Sequence, residues 1–412
     1  MNIIEELKFR NLLYATTDEA LEKKLEEDKV TFYLGADPTA DSLHIGHLVP
    51  YIVARHLASK GHHPILLIGG GTGLIGDPSG KKEERQLLDE PLVKKNVEAM
   101  TKQVKNILPT ATIVNNYDWL KPYNLLDFLR EIGKHFGLNA MLAKDSVKSR
   151  LESGISFTEF TYQIIQSLDF LKLYQNNQCT MQIGGQDQWG NITAGLELIR
   201  KVEGSEAKAY GLVIPLLTKA DGSKFGKTES GTIWLDPKRT SPYTFYQYWI
   251  NLEDAEALTR LRQFTMLSVS EIQAVEQAME ETPHLRHAQK AIAEELTTLI
   301  HGKQALEQVI NITEALFHND VNKLSIHEIE MGFEGVNRYE LDADISIIDA
   351  LIRLKLASSK REARTFVQQN AVAVNGDKVT DLEFVIKKSA ALHNAYTILK
   401  RGKKLYGVIK HN

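Results

Sequence analysis

Residues 30–36 (VTFYLGA) form an apolar run that stops at Asp37-Pro38. The period then changes. Apolar positions recur at helical spacing from about His44 to Lys60, and Gly61 supplies the stop. Pro64 to Gly69 (PILLIG) is a second continuous apolar run, the pattern of a strand covered on both faces. Further strands are predicted at 111–115 (ATIVN), at 179–183 (CTMQI) and from Tyr210 to Leu217, with helical patterns between them. This alternation predicts an α/β fold with a parallel, doubly wound sheet. From Ser241 to about His318 only helical periods remain, separated at Pro283 and Gly302. The periodicity then weakens. Residues 345–412 follow as a small α+β unit, helices first and short strands after. The expected domains are 1–220, 221–320 and 345–412, with a linker at 321–344.

Composition bounds this picture. A chain of 412 residues exceeds one small core, and 43% hydrophobic with 25% charged residues is ordinary for a water-soluble protein. Cys179 is the only cysteine, so no intrachain disulfide can form, which fits a reducing compartment. Met1 to Arg10 mixes charges with apolar residues, so neither a signal peptide nor a membrane span is expected, and a cytoplasmic location is. The net charge of −4 is unevenly spread. Residues 351–412 carry 13 Lys/Arg against 4 Asp/Glu, a net of +9, and the rest of the chain carries −13. A basic end on an acidic body is an electrostatic footprint for nucleic acid.

Two short clusters carry candidate chemistry. In the first, His44 and His47 flank Ile45-Gly46 at the predicted start of a helix. Spaced i and i+3, the imidazoles share a face where backbone N–H groups already attract anions. Gly46 permits close approach of a nucleotide. Imidazole donors there can stabilise phosphate charge that grows during displacement. A metal site is disfavoured, because no carboxylate separates the histidines and no cysteine is near. The second cluster lies in Thr218–Gly231 (TKADGSKFGKTESG), a glycine-rich loop after a strand. Lys224 and Lys227 can close on the β- and γ-phosphates, and Thr228 can add a hydroxyl. Gly71-Thr72-Gly73-Leu74-Ile75-Gly76 matches a dinucleotide pattern, but Asp77-Pro78-Ser79-Gly80 follows where a helix is required. It reads instead as a glycine-rich sheet edge passing close to a substrate.

Several long motifs in order resemble the bacterial tyrosyl-tRNA synthetases over nearly the whole chain. They are YLGADPTADSLHIGH (33–47), GLIGDPSGK (73–81), NNYDWL (115–120), GISFTEFTYQ (154–163), IGGQDQWGNITAG (183–195) and KFGKT (224–228). The resemblance implies a Rossmann-type catalytic domain, a helical anticodon-side domain and an S-four-type RNA-binding domain. It implies activation of L-tyrosine by ATP with Mg²⁺, no tightly bound protein metal, transfer to tRNA-Tyr, and a homodimer. By resemblance, Tyr33 and Asp169 meet the phenol. Tyr162, Gln166 and Asp77 hold the α-ammonium group, and Gln188 orients the carboxylate. Asp187 and Gly185 bind ribose. Thr39, His44, His47, Lys224, Lys227 and Thr228 stabilise the α-phosphate and departing pyrophosphate, with Gly35, Asp37 and Gly46 completing the ATP site. On a helix through 158–175, Tyr162, Gln166 and Asp169 fall at i, i+4 and i+7, on one face. Departures from the family pattern are Leu34, where a ribose-touching cysteine is common, and also Leu168 and Gln186.

The C-terminal stretch SSKREARTFVQQNAVAVNG (358–376) resembles the S-four motif. Ser359 can cap a helix that carries Lys360, Arg361 and Arg364, and Asn375-Gly376 can supply a tight turn. Lys81, Arg85, Lys148 and Arg150 are candidates for acceptor-stem contacts. The rival readings are a tryptophan-specific synthetase and a noncatalytic RNA-binding paralogue. Tyr33 with Asp169 and the basic C-terminal end argue against the first. The intact His44, His47, Lys224 and Lys227 argue against the second.

Overall fold

The structure is a computed structural model, and it describes residues 1–79, 87–148, 150, 154–218, 225, 227–228 and 231–411. Six strands form one sheet: β1 (Ala15–Thr16), β2 (Thr31–Ala36), β3 (His63–Ile68), β4 (Thr112–Asn115), β5 (Cys179–Gly185) and β6 (Tyr210–Ile214). Their order is β1-β6-β5-β2-β3-β4. Strands β2 to β6 run parallel, and β1 pairs antiparallel with β6. The two-residue β1 is too short to leave a periodic signal in the sequence. The chain winds outward from β2 to β4, then returns past β2 to place β5 and β6 on its other side. That reversal opens a crevice at the carboxyl ends of β2 and β5, where ligands bind in such sheets.

The covering helices form where the sequence supplies caps and apolar faces. Helix α1 (Leu48–Ser59) buries Leu48, Val49, Tyr51, Ile52 and Val53. Asp89 caps α2 (Glu90–Ile107) by accepting from the Leu92 N–H, with a proline in the first turn. Ser156 caps α3 (Phe157–Asn177) by accepting from the Glu159 N–H, and Gln178 ends it in the left-handed conformation. Helix α4 (Trp189–Glu203) crosses α3 at Gly195, where a Cβ would lie 3.1 Å from the Phe170 ring. Leu168 and Phe170 of α3 are fully buried with Tyr33 and Ile65 of the sheet. Each such side chain contributes roughly 1.5–3 kcal/mol, and this packing fixes the polar residues interleaved on α3.

Helices occupy Pro242–Ile250, Asp254–Phe264, Val269–Glu281, His287–His301 and Lys303–His318, as the pattern predicts. Two compact units emerge: Met1–Asp236 with Trp249–Leu296, and Pro237–Tyr248 with Thr297–Asn412. The stretch 321–344, expected as a linker, instead holds a helix at Ile326–Gly332 and the strand β7 (Asn337–Glu340). Ser325 and Glu328 form a reciprocal capping box on that helix, a local signal that its weak apolar periodicity obscures. Strand β7 joins β8 (Val372–Val374), β9 (Asp377–Lys378), β10 (Tyr396–Arg401) and β11 (Leu405–Lys410) in a sheet of order β9-β8-β10-β11-β7. Helices α5 (Ile347–Arg353) and α6 (Lys360–Gln368) pack on it through Leu351, Leu354, Ala363, Val367, Leu399 and Ile409. Ser359 caps α6, and Asn375 and Gly376 both take positive φ in the β8–β9 turn, as expected.

Candidate active site

A cluster of polar side chains is built where β2 ends, on the adjoining face of α3. Its buried end is Asp169. One carboxylate oxygen accepts the Trp119 indole N–H at 2.8 Å and the other accepts the Asn116 amide at 2.9 Å. Burial pushes the Asp169 carboxyl up to about 7, against the pull of those two donors, and the charge of Asp37 adds to the rise. Tyr33 is 2% exposed, and none of the described residues hydrogen-bonds its hydroxyl. Burial, with Asp169 close by, holds that phenol well above its usual value, so it stays a neutral donor. A buried carboxylate beside an unpartnered buried hydroxyl is a costly arrangement for a structural core. A ligand hydroxyl resolves it, donating to one and accepting from the other.

Further along α3, the Tyr162 hydroxyl donates to Asp37 at 2.8 Å. Gln166 donates to Gln188 at 3.2 Å, and Gln188 donates to Asp77 at 2.8 Å. Asn191 donates to both Gln166 and Gln188. The three α3 groups therefore share one face, as predicted, but serve two clusters: Tyr162 and Asp169 in one with Asp37 and Asn116, and Gln166 with Gln188 and Asp77 in the other. Asp187 is exposed at the carboxyl end of β5, beside Gly185, where a Cβ would lie 2.6 Å from its carboxylate. Gly35 and Thr39 are exposed at the end of β2, and a cavity beside them is lined by Asp37, Thr39, Gly73 and Gly76 among others.

His44 and His47 lie on a 3₁₀ turn that precedes α1, not on the α-helix itself. The His44 Nδ1 accepts the Gly46 N–H at 3.1 Å, and the His47 Nδ1 accepts the His44 N–H at 3.3 Å. With Nδ1 an acceptor, each neutral ring carries its proton on Nε2, the nitrogen left to donate. Burial and the neighbouring His44 push His47 down to about 3, so it is neutral at physiological pH. The rings stack at 3.8 Å. Gly46 is required by His44 itself, because a Cβ there would lie 2.9 Å from the His44 ring.

Phe225, within the lysine-bearing segment, and Ile233-Trp234, just after it, lie against this turn. Phe225 is buried between Trp249 and Phe264, with the Arg260 guanidinium 4.3 Å from its ring centroid. Its carbonyl oxygen is 3.4 Å from the Cβ position of Gly46. On the far side of the loop, Trp234 bridges His44, and Ile45 donates to the Ile233 carbonyl at 3.1 Å. Lys227 and Thr228 pair as backbone with Thr232 and Gly231. Lys224 lies outside the described residues, as do Lys81 and Arg85. Among the described residues, no group of three or more His, Cys, Asp or Glu is placed to hold a metal ion.

One sequence expectation changes. Arg150 is 3% exposed and pairs with Glu159 of α3 at 3.0 Å. It is a buried structural cation and not a solvent-facing RNA contact, whereas Lys148 is exposed. Asn116, Trp119, Thr72 and Asn191 were not assigned, although each bonds a predicted site residue. The clue was present in NNYDWL, which places an amide and an indole N–H just after a strand.

Residues 25–318 match the family model of class I tRNA synthetases (W and Y), and residues 328–409 match that of the tyrosine–tRNA ligase SYY-like C-terminal domain. The chain is 51% identical to tyrosine–tRNA ligase 1 of Bacillus subtilis (strain 168), over 100% of this chain and 99% of the relative. It belongs to the tyrosyl branch of the class I tRNA synthetases. Another family member, the tyrosine–tRNA ligase of Listeria innocua serovar 6a, is 51% identical over 100% of both chains. The C-terminally truncated mitochondrial tyrosyl-tRNA synthetase of Aspergillus nidulans superposes with a TM-score of 0.70 and 31% identity, covering 77% of this chain and 94% of that one. A tryptophanyl-tRNA synthetase from Encephalitozoon cuniculi gives a TM-score of 0.54 at 12% identity, covering 74% and 87%, a likeness of fold alone.

Proposed function

We propose that the chain joins L-tyrosine to tRNA-Tyr in two steps within the crevice at β2 and β5. The observation that carries this reading is the buried pair of Asp169, an acceptor, and the unpartnered Tyr33 hydroxyl, a donor. A tyrosine phenol satisfies both. Phenylalanine leaves both unpaired, which is how such a site rejects it. Tyr162, Gln166 and Asp77 hold the α-ammonium group, and Gln188, itself held by Asp77, orients the carboxylate.

A tyrosine carboxylate oxygen attacks the α-phosphorus of ATP, and pyrophosphate leaves. The Nε2–H groups of His44 and His47 donate to phosphate oxygens as charge develops there. Thr39, Lys224, Lys227 and Thr228 complete that environment, and Asp187 with Gly185 accepts the ribose. A hydroxyl of the terminal tRNA ribose then attacks the acyl carbon, and AMP leaves. No protein group becomes covalently attached, so positioning and charge stabilisation supply the rate. Mg²⁺ enters with ATP as part of the substrate. Residues 1–220 perform the chemistry, 221–320 supply the phosphate loop and anticodon side, and the basic C-terminal sheet grips RNA, with Lys148, Lys360, Arg361 and Arg364 exposed to do so.

The enzyme works in the cytoplasm, which fits the lack of any described helix long and apolar enough to cross a membrane. It acts as a homodimer, a reading supported by the exposed Leu125, Leu126, Leu129, Leu138 and Phe157. Sedimentation of a Leu126→Glu/Leu129→Glu variant should show a monomer, and an unchanged mass would remove that face from the interface. Tyrosine-dependent ATP–pyrophosphate exchange tests the activity itself. Exchange driven by tryptophan instead, or by neither amino acid, would overturn the reading.

A further inference from the structure

The glycine-rich segment Gly71–Gly76, set aside above as a nucleotide motif, places one hydroxyl between Asp37 and Asn116. Thr72 is 2% exposed. Its Oγ1 donates to Asp37 Oδ1 at 2.6 Å and accepts from Asn116 Nδ2 at 2.9 Å. A hydroxyl has one proton, so the direction of both bonds is fixed. The second amide proton of Asn116 goes to Asp169 at 2.9 Å, while its oxygen accepts the Gly71 N–H at 2.8 Å, which fixes the amide against a flip. The other oxygen of Asp37 accepts from Tyr162. Tyr162, Asp37, Thr72, Asn116 and Asp169 therefore form one continuous hydrogen-bonded chain. It runs from the ammonium side of the slot to the phenol end. Reversing any link would set two donors or two acceptors against each other. The glycines make room for it, since a Cβ at Gly69 would lie 2.1 Å from Asp37 Oδ1 and 2.4 Å from Thr72 Oγ1.

We propose that Thr72 is a positioning residue that couples the two carboxylates of the slot, holding Asp37 directly and Asp169 through Asn116 in one acceptor orientation. The proposal rests on the tyrosine-activating reading above. The titratable groups that face this chain are Asp37, Asp77, Asp169, Tyr33 and Tyr162. Losing the hydroxyl leaves one Asn116 N–H without its acceptor and removes one of the three bonds that hold the amide, which weakens its donation to the charged form of Asp169. Protonation of Asp169 then moves to higher pH.

The test compares Thr72→Val, which keeps the shape and deletes the hydroxyl, with Thr72→Ser, which keeps the hydroxyl. In pyrophosphate exchange, Thr72→Val should raise the KM for tyrosine about 10- to 100-fold, the loss expected for a hydrogen bond to a charged group. The KM for ATP should change by much less than that for tyrosine. The preference for tyrosine over phenylalanine should fall, and the pH below which tyrosine binding fails should move up. Thr72→Ser should restore all of these to within a few-fold. A role in packing alone would lower the melting temperature and leave KM, selectivity and pH profile at their original values, which would overturn the proposal. So would a defect in Thr72→Val that serine does not rescue. If Thr72→Val does not fold, Thr72→Ala carries the same readouts. Failure of the unsubstituted protein to exchange with tyrosine would instead sink the functional reading, and the relay with it.

Discussion

At the residue scale, the site shows which side chains a sequence exposes to reasoning and which it conceals. His44 and His47 drew attention through their spacing beside a glycine, whereas Tyr33, Tyr162, Gln166 and Asp169 were singled out by the family resemblance, with helical spacing adding that the last three share a face. Thr72 and Asn116 were not legible, because their partners lie 35 and 53 positions away in sequence. Only the sheet order brings those loops together. Leu34 and Leu168, departures from the family pattern, are both buried and contribute packing. Asp169 gives the clearest pH prediction. Its carboxyl is raised to about 7 by burial, and the reading needs its ionised form to accept the phenol. Protonation therefore opposes binding as pH falls through that value. The dissociation constant for tyrosine should rise about tenfold per unit below it, as one-proton linkage requires. Titration calorimetry from pH 5.5 to 8 reads this directly. Tyr33→Phe, which removes the other phenol partner, should weaken binding and keep the same pH dependence. A flat profile would place the ionised acceptor elsewhere.

At the scale of elements, strands and helices followed the period of the sequence, while caps and short pieces set the surprises. The linker expected at 321–344 became a helix and an edge strand because Ser325 and Glu328 cap the helix and β7 completes a sheet with the distant β11. Such a pairing across some 70 positions leaves no local trace. Arg150 was expected as a candidate for acceptor-stem contacts, yet Glu159 on the first turn of α3 holds it in the interior. Both side chains are almost wholly buried, so removing one partner leaves the other charge without that compensation. Glu159→Ala should cost about 3 kcal/mol or more of stability, read as a lowered urea midpoint at unchanged slope. A shift under a few tenths of that would mean that the pair is not what anchors this loop to α3.

At the scale of the whole molecule, the charge asymmetry and the fold class were visible in the sequence, whereas the compact units divide the helical stretch in a way that periodicity could not reveal. A truncation at 345 would strand β7 outside its sheet, so surface charge is the better probe of the RNA-binding end. Lys360→Glu/Arg361→Glu/Arg364→Glu on the capped helix α6 should raise the KM for tRNA tenfold or more and flatten its salt dependence, as loss of phosphate contacts requires. Pyrophosphate exchange should be unaltered, and equal tRNA charging would place the RNA on another face. The central claim, that the slot ends in a phenol-reading carboxylate, is tested most directly by kcat/KM for tyrosine and for phenylalanine in pyrophosphate exchange with Asp169→Asn. The account predicts that tyrosine activation falls steeply while phenylalanine activation changes little, so the preference collapses. A variant that keeps its preference for tyrosine would contradict it.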